Sequence, residues 1–377
     1  MLEQVSLNFK IIASLLLSFG FTYFIIPSVI NIATEKNLYA AQDERRSHKG
    51  EIPNLGGMAI FISFIISYCI FGDFKIASIK YLLAALSFIF MIGAKDDIIP
   101  LPAHKKFIGQ FIAAGIIVIL GNIRITSFYG VLGITTIPYI VSIVFTIVTI
   151  VFIINAFNLI DGINILASSI GLVVSSAFGL WFYIHGYTDY AIMNACLFGA
   201  LVAFMRYNYA SKIFMGDTGS LFIGLLLAIQ AIAFIEESAD IAFSSVKQPF
   251  HVISGPALAI AILIIPIFDT LRVFTVRILN GKSPFSPDKT HHHHILVNNL
   301  NLTHIKASLV LVSVNILFIF FTYQLQDLRS AILIPLIFLV AAILSFILYR
   351  IKPIKKENPF VQNKQSDSKK TMGIKKL

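Results

Sequence analysis

The apolar residues of this 377-residue chain fall in long runs separated by short polar stretches. A bilayer core about 30 Å thick is crossed by roughly 20 apolar residues in helical form. Eleven runs approach or meet that length: 9–32, 56–72, 78–94, 107–121, 137–157, 163–184, 190–205, 219–235, 252–271, 305–323 and 331–349. Several hold only about 15 to 17 apolar residues, near the lower limit of a span, and 107–121 is the weakest. The stretch 122–136 alternates with period two and carries Gly130 and Gly133, which predicts a small hairpin. The pattern therefore predicts an all-α integral membrane protein, a bundle of about 10–11 transmembrane helices built from one polytopic unit over residues 1–349. The first run has no basic segment before it and no A-x-A-like site after it, so it is expected to stay as a span. No internal repeat is visible.

Composition agrees and adds exclusions. With 57% hydrophobic and 13% charged residues and a mean hydropathy of +0.84, the chain is not an ordinary water-soluble enzyme. The net charge of +10 does not indicate nucleic acid, because nine of the 29 Lys and Arg residues lie from Arg350 onward. That basic tail, 350–377, is expected to be disordered and held near anionic lipid by charge. Cys69 and Cys196 both sit in apolar runs, so neither a disulfide framework nor a metal motif is indicated. With the N-terminus outside, one side collects about four fifths of the Lys and Arg, which the positive-inside rule makes cytoplasmic, the C-terminus included.

Carboxylates near hydrocarbon are expensive and tend to be kept for function. Asp96, Asp97, Asp161, Asp217, Asp269 and Asp288 all abut span ends or loops on the predicted cytoplasmic side. The adjacent pair Asp96-Asp97 repels itself and is cheapest beside a shared cation, with Lys105 and Lys106 close in sequence. Asn155, Asn158 and Asp161 are spaced by three, along one helical face. Asp217, between Gly216 and Thr218-Gly219, opens a span where free backbone N–H groups suit phosphate and a carboxylate suits a hard metal. Arg272, Arg277, Lys289 and the run His291-His292-His293-His294 make an anion-friendly loop. Jointly these parts suit phosphoryl transfer, which needs Mg²⁺, cationic clamps and positioning. A transporter would place its acids near the midplane and in inverted repeats, which this chain does not do.

The motifs His48-Lys49…Pro53…Gly56-Gly57, Asp96-Asp97 with Lys106 and Gln110, Asn155-x-x-Asn158-x-x-Asp161-Gly162, Gly216-Asp217-x-Gly219-Ser220-Leu221, Pro266-x-x-Asp269-Thr270 and Ser286-Pro287-Asp288-Lys289-x-His291-x-His293-His294 occur in that order. Together they resemble the polyprenyl-phosphate N-acetylhexosamine-1-phosphate transferase family over essentially the whole chain. The histidine loop is similar to the branch that starts O-antigen, enterobacterial common antigen, teichoic acid or capsule, rather than to the muramoyl-pentapeptide transferases of peptidoglycan synthesis. The resemblance implies transfer of a HexNAc-1-phosphate, GlcNAc-1-phosphate being favoured, from a UDP-sugar to undecaprenyl phosphate, with release of UMP, in the bacterial cytoplasmic membrane. It implies Mg²⁺ as cofactor, with Mn²⁺ as a substitute, and leaves room for a homodimer. Expected roles follow: Asp217 and Asp97 at the metal; Asp96, Asp97, Asp161 and Asp217 in catalysis; and Lys106, Asn155, Asn158, Asp269, Arg272, Asp288, His291, His293 and His294 on the substrates. Asn164 departs from the family pattern, which has a second Asp there, and puts that residue's role in doubt.

Overall fold

A computed structural model describes residues 6–38, 52–243, 250–281, 283 and 290–351. Of the expected disordered tail, Arg350 is helical and 352–377 lie outside the described residues, as do His48-Lys49 and Ser286–Lys289, Asp288 among them.

Each predicted run falls on helix. In chain order the helices are α1 (Leu7–Glu35), α2 (Gly56–Phe71), α3 (Ile79–Ile98), α4 (Ala103–Gly115), α5 (Tyr139–Ile160), α6 (Leu166–Ile184), α7 (Thr188–Asn208), α8 (Gly216–Phe243), α9 (Gly255–Ile262), α10 (Ile264–Leu279), α11 (His292–Asn298), α12 (His304–Gln324) and α13 (Ser330–Arg350). The weak run 107–121 is completed by a π-helical turn over Ile116–Leu120 that extends α4. Among the described residues eight helices are long and apolar enough to cross a membrane, or nine if α9 and α10 count as one broken span. The difference from eleven has a physical reason. Helix α2 has only 16 residues, and α3 ends on Lys95, Asp96 and Asp97.

Helix α8 is the axis of the bundle, its apolar side chains enclosed by α2, α3, α5 and α6. Because every face is covered, its sequence is apolar all round instead of striped. Outside this core, α1 lies along α7 and turns Lys10, Ser14, Ser18 and Thr22 inward at a spacing of four, so small and hydroxyl side chains line the contact. The predicted hairpin is present: an antiparallel bridge joins Ser127 and Thr136, and the turn places Gly130 and Gly133 at positive φ. Glu236, near the far end of α8, holds this hairpin by accepting hydrogen bonds from the Thr126 N–H (3.0 Å), the Thr126 hydroxyl (2.6 Å) and the Tyr129 hydroxyl (2.6 Å).

The predicted span 252–271, in which Pro256 and Pro266 are expected to allow a bend, is bent by 79° between α9 and α10. Pro266, with no N–H, cannot donate to the Ile262 carbonyl and its ring crowds that turn. Pro256 lies in the first turn of α9, where a proline starts a helix without bending it. The freed carbonyls are answered from α12: the Asn315 side-chain amide donates to Ala261 O (3.2 Å) and Ile262 O (3.1 Å). Replacing Asn315 by Leu is expected to lower stability by about 1–2 kcal/mol, because the carbonyls of Ala261 and Ile262 lose their side-chain donor away from water. Thermal unfolding of detergent-solubilised protein measures it.

Candidate active site

The first turn of α8 meets the last turn of α3 and the segment Pro53–Gly57. Backbone hydrogen bonds from Phe214 N to Pro53 O (2.8 Å), Gly56 N to Phe214 O (3.0 Å) and Gly57 N to Met215 O (2.8 Å) zip the two segments together. The approach is so close that a Cβ on Gly57 would collide with the backbone of Gly219 and Thr218. Gly216 has φ +72°, the left-handed conformation that glycine adopts at least cost, and this aims the α8 N-terminus at α3.

On that platform the two adjacent aspartates part company. Neighbouring residues on a helix point about 100° apart, so Asp96 and Asp97 do not share a cation as the bare sequence suggests. Asp97 faces α8. Its carboxylate accepts from the backbone N–H of Asp217 (2.9 Å) and of Thr218 (2.8 Å), from the Thr218 hydroxyl (2.5 Å) and from the Asn54 amide (3.1 Å). Burial, and after it the Asp217 charge, push the Asp97 carboxyl up to about 7 against these donors. Asp96 faces Lys106 of α4 at 2.6 Å and accepts from the Leu101 N–H at 2.6 Å. Burial raises its carboxyl as well, opposed by Lys106.

Asp217 is the meeting point. Lys106 Nζ lies 2.8 Å from its Oδ2, and the Asn158 amide of α5 donates to its Oδ1 at 3.1 Å and to the Ser220 hydroxyl at 2.8 Å. One ammonium thus bridges Asp96 and Asp217, so two hard carboxylate oxygens converge on a single cationic position. That donor set fits Mg²⁺, which commonly takes one or two carboxylates plus substrate phosphates. Among the described residues no group of three or more His, Cys, Asp or Glu side chains is arranged as a ready metal cage. Asp97, its oxygens occupied by α8 and Asn54, does not sit in that convergence.

A second cluster forms around Asp269 on α10. Its carboxylate takes His291 Nδ1 at 2.8 Å, the His292 backbone N–H at 3.0 Å and Arg272 at 3.3 Å, and Arg272 also donates to the Thr290 carbonyl. Asp269 thereby organises the start of α11 and turns the histidine run. His292, the additional histidine of the run, is directed inward to Ser345 of α13 at 2.8 Å. His293 is buried, and burial and then the neighbouring His294 lower its pKa to about 3, so its ring is neutral at pH 7. Its Nε2 has no partner among the described residues and stands against Gly162. Asp161 caps the end of α5 one residue earlier, so the Asn158–Gly162 turn links the two clusters.

Other expected residues act as braces. Asn155 and Gln110 exchange side-chain amide hydrogen bonds at 3.2 and 2.6 Å between α4 and α5. Asn164 is buried; its side-chain amide donates to the Ser211 hydroxyl at 2.5 Å, and its backbone carbonyl accepts from the Ser308 hydroxyl at 2.9 Å. The departure from the family pattern therefore falls on a loop brace. Sequence reading did not single out Asn54, Thr218 or Ser345 as partners of the site. The signals for the first two were their places directly after Pro53 and directly after Asp217.

The sequence profile of glycosyl transferase family 4 matches residues 79–235, a range that holds α3 to α7, most of α8 and the Asp217 cluster apart from Asn54. Over 310 residues the chain is 31% identical to a decaprenyl-phosphate N-acetylglucosaminephosphotransferase of Mycobacterium tuberculosis, covering 77% of this chain and 76% of that protein. It is 26% identical over 294 residues to an undecaprenyl-phosphate alpha-N-acetylglucosaminyl 1-phosphate transferase of Salmonella typhimurium, covering 76% of each. The Escherichia coli O157:H7 protein of the same name is 27% identical over 287 residues, covering 74% of each. With the matching motifs gathered at one end of the bundle, the chain belongs to glycosyl transferase family 4, among the polyprenyl-phosphate N-acetylhexosamine-1-phosphate transferases.

Proposed function

We propose that the chain transfers GlcNAc-1-phosphate from UDP-GlcNAc to a polyprenyl phosphate, undecaprenyl phosphate in the first instance, and so starts a lipid-linked cell-envelope glycan. The observation that carries this reading is the convergence of Asp96, Asp217 and Lys106 at the ends of apolar helices long enough to cross a membrane, a place where a lipid phosphate and a nucleotide diphosphate would meet. The relatives' activities support the donor and acceptor classes. The charge distribution supports a cytoplasmic site, with the N-terminus outside, in a bacterial cytoplasmic membrane.

In the reaction, an oxygen of the lipid phosphate attacks the sugar-bearing phosphorus of the donor. The bond from that phosphorus to the UMP oxygen breaks, and UMP leaves with the electron pair. The acceptor phosphate has its second pKa near 6 and is already largely dianionic at pH 7, so alignment matters more than a base. Lys106 sets a positive charge beside the diphosphate, Asn158 orients Asp217, and the histidine loop offers donors to the nucleotide phosphates. When bound, Mg²⁺ at Asp217 and Asp96 supplies neutralisation of charge building on the diphosphate.

Purified full-length protein with undecaprenyl phosphate and a panel of UDP-HexNAc donors is expected to release UMP, fastest with UDP-GlcNAc. EDTA should stop the release, and Mg²⁺ or Mn²⁺ should restore it. Release of no UMP with any donor overturns the reading.

A further inference from the structure

Both oxygens of Asp97 carry two donors each, which fills the acceptor capacity of a carboxylate. Two of those donors are backbone amides that any sequence would supply. The other two are side-chain choices, the Asn54 amide and the Thr218 hydroxyl, on residues 7% and 0% exposed. Asn54 is not needed to hold its own segment, because the backbone of Pro53–Gly57 is already zipped to Phe214 and Met215. Its Oδ1 is moreover buried with no partner among the described residues, where the amide is held by its N–H end.

We infer that Asn54 and Thr218 are positioning residues for phosphoryl transfer: they lock Asp97 across the N-terminus of α8 and thereby fix the direction in which Asp217 meets the donor diphosphate. Asp217 is joined to this lock by one peptide, since its own N–H and that of Thr218 both end on Asp97. Loss of either side-chain donor leaves one Asp97 oxygen held by a single backbone N–H, which loosens the carboxylate and with it the α8 first turn. A misplacement of about 1 Å at a reacting centre can lower turnover about 100-fold. The inference rests on the transferase reading.

The test is kcat and KM for UDP-GlcNAc, with unfolding temperature, on full-length protein and the variants Asn54→Leu, Thr218→Val and Thr218→Ser. Leu removes the buried orphan carbonyl together with the donor, and Val keeps the shape of Thr without the hydroxyl. In Asn54→Leu and Thr218→Val, kcat is expected to fall about 100-fold with KM within about threefold of the parent, at an unfolding temperature that stays close to it. Thr218→Ser is expected to regain most of the lost kcat. The inference is overturned if Thr218→Val turns over like the parent, if Ser is as slow as Val, or if the loss lies in KM. A parent protein that releases no UMP would instead overturn the transferase reading, a result distinct from active variants in an active parent.

Discussion

Asp217→Asn is expected to reduce UMP release by about 1,000-fold or more while the protein still folds in detergent. The replacement keeps an oxygen for the Asn158 amide at Oδ1 and leaves the backbone N–H free to donate to Asp97. What it removes is the negative charge opposite Lys106, 2.8 Å away, and with it one of the two oxygens that converge on the cationic position. A metal-held or cation-held phosphoryl centre is worth several kcal/mol of transition-state charge, and each 1.36 kcal/mol is a factor of ten. Lys106 keeps Asp96 at 2.6 Å as a counter-ion, so the variant has no orphaned buried charge to unfold it. Single-turnover UMP release and an unfolding scan measure the two halves of this expectation. Turnover near that of the parent would remove Asp217 as the centre of the site.

Gly57→Ala is expected to damage both stability and turnover. A Cβ at this position meets backbone atoms of Gly219 and Thr218, which cannot rotate away as a side chain could. Overpacking of this kind typically costs about 1–3 kcal/mol, relieved here only by prising α2 from α8. The same movement stretches the bonds from Gly56 and Gly57 to Phe214 and Met215, and these set the first turn that carries Asp217. Turnover should therefore fall about 100-fold even in the fraction that remains folded, since the displacement is passed straight to the reacting centre. An unfolding scan beside kcat on the monodisperse fraction distinguishes this from simple loss of protein. Full turnover in that fraction would mean that the contact is not needed for alignment.

The helices were legible because apolar runs long enough to cross a bilayer leave few other readings, and even the weak run 107–121 became helix with the help of a π turn. Candidate site residues were legible where their type marked them, as with Lys106, Asn158 and Asp217, which the fold brings together. What the chain order hides is direction. Asp96 and Asp97 are neighbours in sequence yet serve different partners, because one residue step on a helix turns the side chain by about 100°. Asn155 and Asn164 look like site residues by type, but the packing of α4 on α5 and of the 161–165 turn on Ser211 and Ser308 makes them braces. The break at α9 and α10 could be suspected from Pro266, whereas its stabiliser Asn315 is 49 positions away and emerges only once α12 packs against α9.

Asp217 is carried by the most enclosed helix of the bundle, and the histidine run by one of the shortest, the seven-residue α11. The charge that every donor must meet is therefore as fixed as the core itself, since moving it would require repacking α2, α3 and α5 together. The histidine run stands on a small element held by Asp269, by Ser345 and by packing against α12, with Leu296 in the core. A change in the histidine run is therefore expected to be felt by α11 and its neighbours, whereas any shift of Asp217 reaches the whole core.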